Sequence, residues 1–201
     1  MAGIVVPFRG TNGKQRLTGL ADERHRALVL AMLADVLAAT TEVGRTVVVT
    51  DDDDGRREAA AVGADIVQDP GGGQSAAVAA AIGSLPSDAV LIVNADVPCV
   101  VPYDLRSLIA STPPGGIALV ASEDGRTNAL SLSAPQLFEP LYGARSAERF
   151  QRAAAELGVE AVQASISNLA DDVDTREDLD RVHHRAGPHT QAAFEGLPPA
   201  P

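Results

Sequence analysis

The chain predicts an α/β fold: a mostly parallel, twisted sheet with flanking helices and a small antiparallel insertion. Three observations carry this expectation. Short β-branched runs alternate with segments whose apolar residues recur at i, i+3 and i+4, the pattern of right-handed crossovers between parallel strands. The run Val90-Leu91-Ile92-Val93 is apolar at every position, as a strand covered on both faces must be, and it runs on into Asp96 and Pro98. Later in the chain, two strand-like runs at 117–121 and 128–133 are separated by the turn 122–126, close enough to pair as a hairpin or as neighbouring strands.

In order, residues 3–8 read as a buried first strand and 9–16 as a loop. Asp22 is placed to cap a long helix whose apolar stripe is Val29, Met32, Leu33, Val36 and Leu37. A β-branched strand at 46–50 ends in four aspartates, 51–54, followed by a short helix at 56–62 and a strand at 65–68. The glycine-rich loop 69–73 opens into a small-residue helix, 75–82, ahead of the strand at Val90. A helix at 104–110 precedes the hairpin, an insertion of a kind that builds a substrate pocket over a sheet. A helix at 147–157 and a short edge strand at 159–162 follow. Thr175 then caps a helix from Arg176 to about His184, with Asp178 three residues on resembling the capping box. Residues 1–185 are expected to form a single domain, and 186–201, with four prolines and no periodicity, a flexible tail.

The totals bound the class. A chain of 201 residues with 45% hydrophobic residues can bury one substantial core. Its net charge of −11, with no Lys/Arg-rich run, argues against nucleic acid as a partner. The single Cys99 rules out a disulfide framework and fits a reducing compartment. The first residues carry no basic leader, and no apolar stretch approaches the ~20 residues needed to span a bilayer, so a cytoplasmic protein without a membrane partner is expected.

Four places hold side chains suited to chemistry. Asp96 lies at the carboxyl end of a strand, where open α/β sheets bind ligands, though a helix-capping aspartate would look the same. The loop after strand one combines two glycines with Arg9, Lys14 and Arg16, a set that suits a polyphosphate. It is not a Walker A loop, because Phe8 stands where the first glycine belongs and Gln15 replaces the metal-binding hydroxyl. Gly71, Gly72 and Gly73 let a base or phosphate approach the backbone, or simply make a flexible connection. In an extended segment Asp172 and Asp174 share one face, and two such carboxylates suit a hard cation such as Mg²⁺, though capping and solvation would account for Asp171 and for one more of the three. The run 51–54 reads as cap and turn, with at most a base or ribose contact. His25, His183, His184 and His189 form no site with one another or with Cys99.

Taken together, these elements resemble nucleotidyltransferases of the nucleotide-diphospho-sugar transferase (GT-A-like) fold. More narrowly, the chain resembles the CofC/FbiD family, the guanylyltransferases of deazaflavin coenzyme F-420 biosynthesis. The resemblance rests on Lys14-Gln-Arg-Leu17, Asp69-Pro-Gly-Gly-Gly73, Ala95-Asp-Val-Pro98, Gly125-Arg-Thr-Asn-Ala-Leu130, Tyr142-Gly-Ala-Arg-Ser146 and Asp172-Val-Asp-Thr-Arg-Glu-Asp-Leu179, in family order over residues 3–185. It implies transfer of GMP from GTP to a phosphorylated three-carbon acid, phosphoenolpyruvate or alternatively 2-phospho-L-lactate, with release of diphosphate. It further implies Mg²⁺, as two ions, on Asp96, Asp172 and Asp174, and the acceptor on Thr127, Asn128, Gly143 and Ser146. Arg9, Lys14 and the triple glycine would bind the nucleotide, with Lys14 and Arg16 acting on the leaving diphosphate. Two departures stand out: Asn94 replaces the proline usual before Ala-Asp, and Arg145 varies the acceptor loop in a way that could alter how the acid is held. Rival readings are a sugar-phosphate or molybdenum-cofactor nucleotidyltransferase and a non-catalytic nucleotide-binding protein. Oligomeric state, a homo-oligomer included, is left open.

Overall fold

The computed structural model describes residues 2–10 and 22–197. Among the described residues, seven strands form one sheet: β1 (Gly3–Pro7), β2 (Thr46–Val49), β3 (Asp65–Val67), β4 (Val90–Val93), β5 (Ile117–Ala121), β6 (Thr127–Leu132) and β7 (Ala161–Gln163), in the order β3-β2-β1-β4-β6-β5-β7. β6 alone runs against its neighbours β4 and β5; the remaining pairs are parallel.

Both faces of the sheet are covered, which explains the unbroken apolar strands. Ile4 and Val6 of β1 pack into one core with Leu91 and Val93 of β4, while Val5, Val90 and Ile92 pack into the other. The first core is closed by α1 (Asp22–Thr41), α4 (Pro102–Ala110), the short α6 (Ser167–Ala170) and α7 (Arg176–Val182), through residues such as Met32, Leu105, Leu169 and Leu179. The second is closed by α3 (Gln74–Ser84) and α5 (Ser146–Glu156), through Ala77, Val78, Ala81 and Phe150. The small residues of α3 thus let that helix lie close on the strands.

Three expectations change. First, the hairpin does not sit over the sheet. Its second strand, β6, is inserted into the sheet between β4 and β5, and all six of its residues are buried. Second, α2 (Asp53–Ala61) begins earlier than its apolar pattern indicates, because the Asp52 carboxylate accepts from the amides of Asp54 and Gly55 and so starts the helix. That bears out the cap reading of the acidic run, but Asp54 is buried and ion-paired with Arg26 and Arg57 instead of solvated. Third, the segment read as tail contains a helix, α8 (Pro188–Glu195). Its first amides are held by a buried carboxylate on α1: Asp35 accepts from His189 at 3.1 Å and Thr190 at 2.8 Å. Gly187 fits this joint because a Cβ there would lie 2.3 Å from the Asp35 carboxyl carbon. Phe194 of α8 stacks on His183, ring centroids 4.0 Å apart. Proline at the first turn of a helix is no obstacle, and the docking contact is long-range, so neither composition nor periodicity reveals it.

The capping box ahead of α7 forms as expected. The Asp178 amide donates to the Thr175 hydroxyl and the Asp178 carboxylate accepts from the Thr175 amide. Among the described residues, no helix is long and apolar enough to cross a membrane.

Candidate active site

The carboxyl ends of β1 and β4 lie side by side, and the antiparallel β6 brings its amino end to the same edge. The backbone carries the arrangement one residue beyond the ladder, where the Asn94 amide donates to the Asn128 carbonyl at 2.9 Å. Arg9 follows β1, Asp96 follows β4, and Thr127 and Asn128 open β6. Adjoining clefts of about 510 and 400 Å³ open over this edge.

Asp96, Asp172 and Asp174 meet here, each offering an oxygen within 4.8 Å of the other two. Their meeting has a local cause. The Val173 amide donates to the Asp96 carbonyl at 2.9 Å, tying the distant loop to the end of β4. Val173 itself is fully buried in the core, so alternation turns Asp172 and Asp174 to the other side, toward the cleft. Asp171 is drawn away from the trio by Arg185, 2.5 Å from its carboxylate, and that partner raises the arginine's affinity for its proton further. Three hard oxygen donors at this spacing fit Mg²⁺ or Mn²⁺ and would repel one another without a cation.

Around the carboxylates lie Arg9, Gly72, Gly73, Thr127, Asn128, Gly143 and Ser146, all of them sequence candidates. Gly73 adopts φ 92° and ψ −176°, a conformation essentially restricted to glycine, and α3 begins directly after it. Gly71 lies in the same loop, its amide bonded to Asp69, but does not line the cleft among the described residues. The Thr127 and Ser146 hydroxyls are buried and bonded to each other at 3.0 Å. Lys14 and Arg16 fall outside the described residues. Arg145, between the lining residues Ala144 and Ser146, has a side chain that is 80% exposed and lies near Glu148. Among the described lining residues, the polar side chains of Arg126, Gln74 and Asn94 carry no role in the sequence analysis. Arg126 borders both clefts, as do Gln74 and Asn94. A polar residue directly after an apolar strand, and another directly after the triple glycine, were the available signals for the last two.

Burial holds two nearby ionisable groups neutral. Burial raises the Tyr142 hydroxyl well above its usual range, so that ring stays neutral against Phe150, 5.3 Å away. Cys99, raised to about 11 chiefly by burial, is a protonated thiol in the core. The arrangement can therefore bind and align anions and neutralise charge, which is what phosphoryl and nucleotidyl transfer require.

Comparison with known proteins agrees with this geometry. The family described as guanylyl transferase CofC like matches residues 2–194. The phosphoenolpyruvate guanylyltransferase of Conexibacter woesei is 36% identical over 186 residues, covering 88% of this chain and 83% of that one. The 2-phospho-L-lactate guanylyltransferase of Natrialba magadii is 31% identical over 191 residues, 88% of this chain and 80% of that one. Among solved structures, a putative nucleotide-diphospho-sugar transferase from Desulfovibrio desulfuricans superimposes with a TM-score of 0.76 at 15% identity, over 97% of this chain and 95% of the other. Glucosyl-3-phosphoglycerate synthase from Mycobacterium tuberculosis, in complex with Mn²⁺, UDP and phosphoglyceric acid, gives a TM-score of 0.63 at 13% identity, over 100% of this chain and 80% of the other. At these identities the structural likeness speaks for the fold.

Proposed function

This chain belongs to the CofC-like guanylyl transferase family, and from that premise we propose that it transfers GMP from GTP to phosphoenolpyruvate, releasing diphosphate, as a step of coenzyme F-420 biosynthesis. The observation that carries the reading is the meeting of Asp96, Asp172 and Asp174 in a cleft whose described cations are Arg9 and Arg126. A phosphate oxygen of the acceptor attacks the α-phosphorus of GTP. The bond from that phosphorus to its bridging oxygen breaks, and diphosphate leaves with the electron pair. The attacking phosphate is already an anion near neutral pH, so no general base is needed.

Each residue then has a task. Asp96, Asp172 and Asp174 would hold Mg²⁺, two ions if the family resemblance carries over, and the metal would supply Lewis-acid neutralisation of charge on the phosphates. Arg9, with Lys14 and Arg16 next along the sequence, stabilises the departing diphosphate, while Gly72 and Gly73, and Gly71 beside them, let the nucleotide approach the backbone. Thr127, Asn128, Gly143 and Ser146 form the acceptor side, and Arg126 supplies the cation that a phosphorylated carboxylic acid needs there. The M. tuberculosis synthase, described with Mn²⁺, a nucleotide and phosphoglyceric acid, supports pairing these three ligand classes on one such fold.

A panel of acceptors with GTP and Mg²⁺, with products identified by mass, tests the proposal. Guanylylated phosphoenolpyruvate and diphosphate are expected. Product from 2-phospho-L-lactate alone, the acceptor named for the N. magadii relative, would replace the acceptor and keep the reaction. Turnover only with a sugar phosphate or molybdopterin would overturn the proposal, and GTP binding without diphosphate from any acceptor would make the protein a nucleotide-binding module.

A further inference from the structure

A line of side-chain amides runs along the cleft floor, and two of its members, Gln74 and Asn94, have no part in the chemistry above. Gln74, the first residue of α3, donates from Nε2 to Asn94 Oδ1 at 2.6 Å. Asn94 Nδ2 lies 3.3 Å from both Asn128 Oδ1 and the Thr127 carbonyl. Asn128 Nδ2 in turn donates to Asp172 Oδ1 and to the Ala170 carbonyl, each at 3.2 Å. Every link runs in one direction, from the glycine-rich loop to a carboxylate.

That direction is dictated by the partners. The Asp172 carboxylate and the Ala170 carbonyl only accept, so Asn128 must turn its NH₂ toward them and its oxygen toward Asn94. Asn94 must then point its own NH₂ at Asn128 and at the Thr127 carbonyl, which leaves its oxygen for Gln74. Asn128 is 2% exposed, so water does not compete at the inner link. Aligned amide dipoles strengthen one another in such a setting.

We infer that Gln74, Asn94 and Asn128 are positioning residues, a relay that fixes Asp172 in its metal-binding orientation from the side of the glycine-rich loop; the inference rests on the nucleotidyl-transfer reading of the cleft. Partners that orient metal ligands typically govern about 10–100-fold in metal affinity. The relay also makes a prediction opposite in sign to simple electrostatics. A negative charge at position 74 would, by attraction alone, strengthen cation binding nearby. In the relay, a glutamate there offers only acceptors and sets an oxygen against Asn94 Oδ1, so the Gln74–Asn94 bond is replaced by a repulsion. Asn128 keeps its NH₂ on Asp172, but the Asn94 amide that backs it is pushed aside, which loosens the support of Asp172 and weakens the metal site.

The experiment is titration with Mn²⁺ alone, free ion counted by electron paramagnetic resonance, on the wild type and on Gln74→Glu, Gln74→Met and Asp172→Asn. Thermal melting verifies that each variant is folded. Mn²⁺ binding is expected to be lost in Asp172→Asn, weakened about tenfold in Gln74→Glu and weakened by less in Gln74→Met. Should Gln74→Glu not fold, Gln74→Met decides, since the relay requires weaker binding there too. Binding that is unchanged or tighter in the Gln74 variants would overturn the relay while leaving the metal site standing. A wild type that binds no Mn²⁺ would overturn both.

Discussion

Asp96→Asn separates a metal-binding carboxylate from a capping one by the sign of its effect on stability. Asp96, Asp172 and Asp174 each place an oxygen within 4.8 Å of the others. Two unit charges at that distance repel by about 1 kcal/mol in water and about 3.5 kcal/mol at an effective dielectric constant of ~20. Asp96 belongs to two of the three pairs, so neutralising it relieves roughly 2 kcal/mol even at the screened end of that range. In a protein of this size one kilocalorie per mole moves the melting temperature by about 2–4 °C. With a chelator present, Asp96→Asn is therefore expected to melt roughly 4–8 °C above the parent. Added Mn²⁺ should raise the parent and leave the variant unmoved, and diphosphate release by the variant should fall by about two orders of magnitude or more. Melting curves with chelator and with Mn²⁺, alongside a diphosphate assay, read all three. A variant that melts lower in chelator and still rises with Mn²⁺ would refute the reasoning, because loss of a cap alone gives that result.

The remaining predictions concern the parts that frame this centre. Gly73→Ala forces a residue with Cβ into φ 92°, ψ −176°, which costs about 1–3 kcal/mol; urea titration should show that loss, and the KM for nucleotide should rise. Arg126→Met, at an exposed position, should leave the melting temperature unchanged and raise the KM for the acceptor acid about tenfold or more, with the KM for GTP unaffected. Asp35→Ala removes the carboxylate that holds the first amides of α8, so stability should fall by about 1–2 kcal/mol and limited proteolysis should open the chain near Gly187. Asp178 is partly buried, which alone would raise its pKa, but hydrogen bonds from Thr175 and Asp174 and the charge of Arg181 outweigh that and hold it below the ordinary carboxylate value of 3.8. A lowered folded-state pKa gives stability that is present above about pH 4 and lost as the pH falls through the folded value. Thr175→Val should therefore flatten the acid limb of a stability–pH profile below about pH 4.

Much of this molecule was legible because its signals are local. Apolar runs marked β1, β2 and β4, the stripe from Val29 to Leu37 marked α1, and Thr175 with Asp178 marked the start of α7. Each depends on residues within a turn or two of one another. The three carboxylates were legible as types in suggestive places: one at a strand end and two at alternate positions of an extended segment. Where the reading failed, the deciding contact lay far off in sequence. α8 is held by Asp35 on the first long helix.

By itself, then, the sequence determined the alternation of strands and helices, the two-sided burial of the sheet and the set of groups available for chemistry. Only the tertiary structure decided which of those groups meet. Inserting β6 between β4 and β5 sets Thr127 and Asn128 beside Asn94. The bond from the Val173 amide to the Asp96 carbonyl, with Val173 buried beneath it, turns Asp172 and Asp174 toward Asp96. Strand insertion and register follow from the packing of the whole sheet, and no window of neighbouring residues contains them.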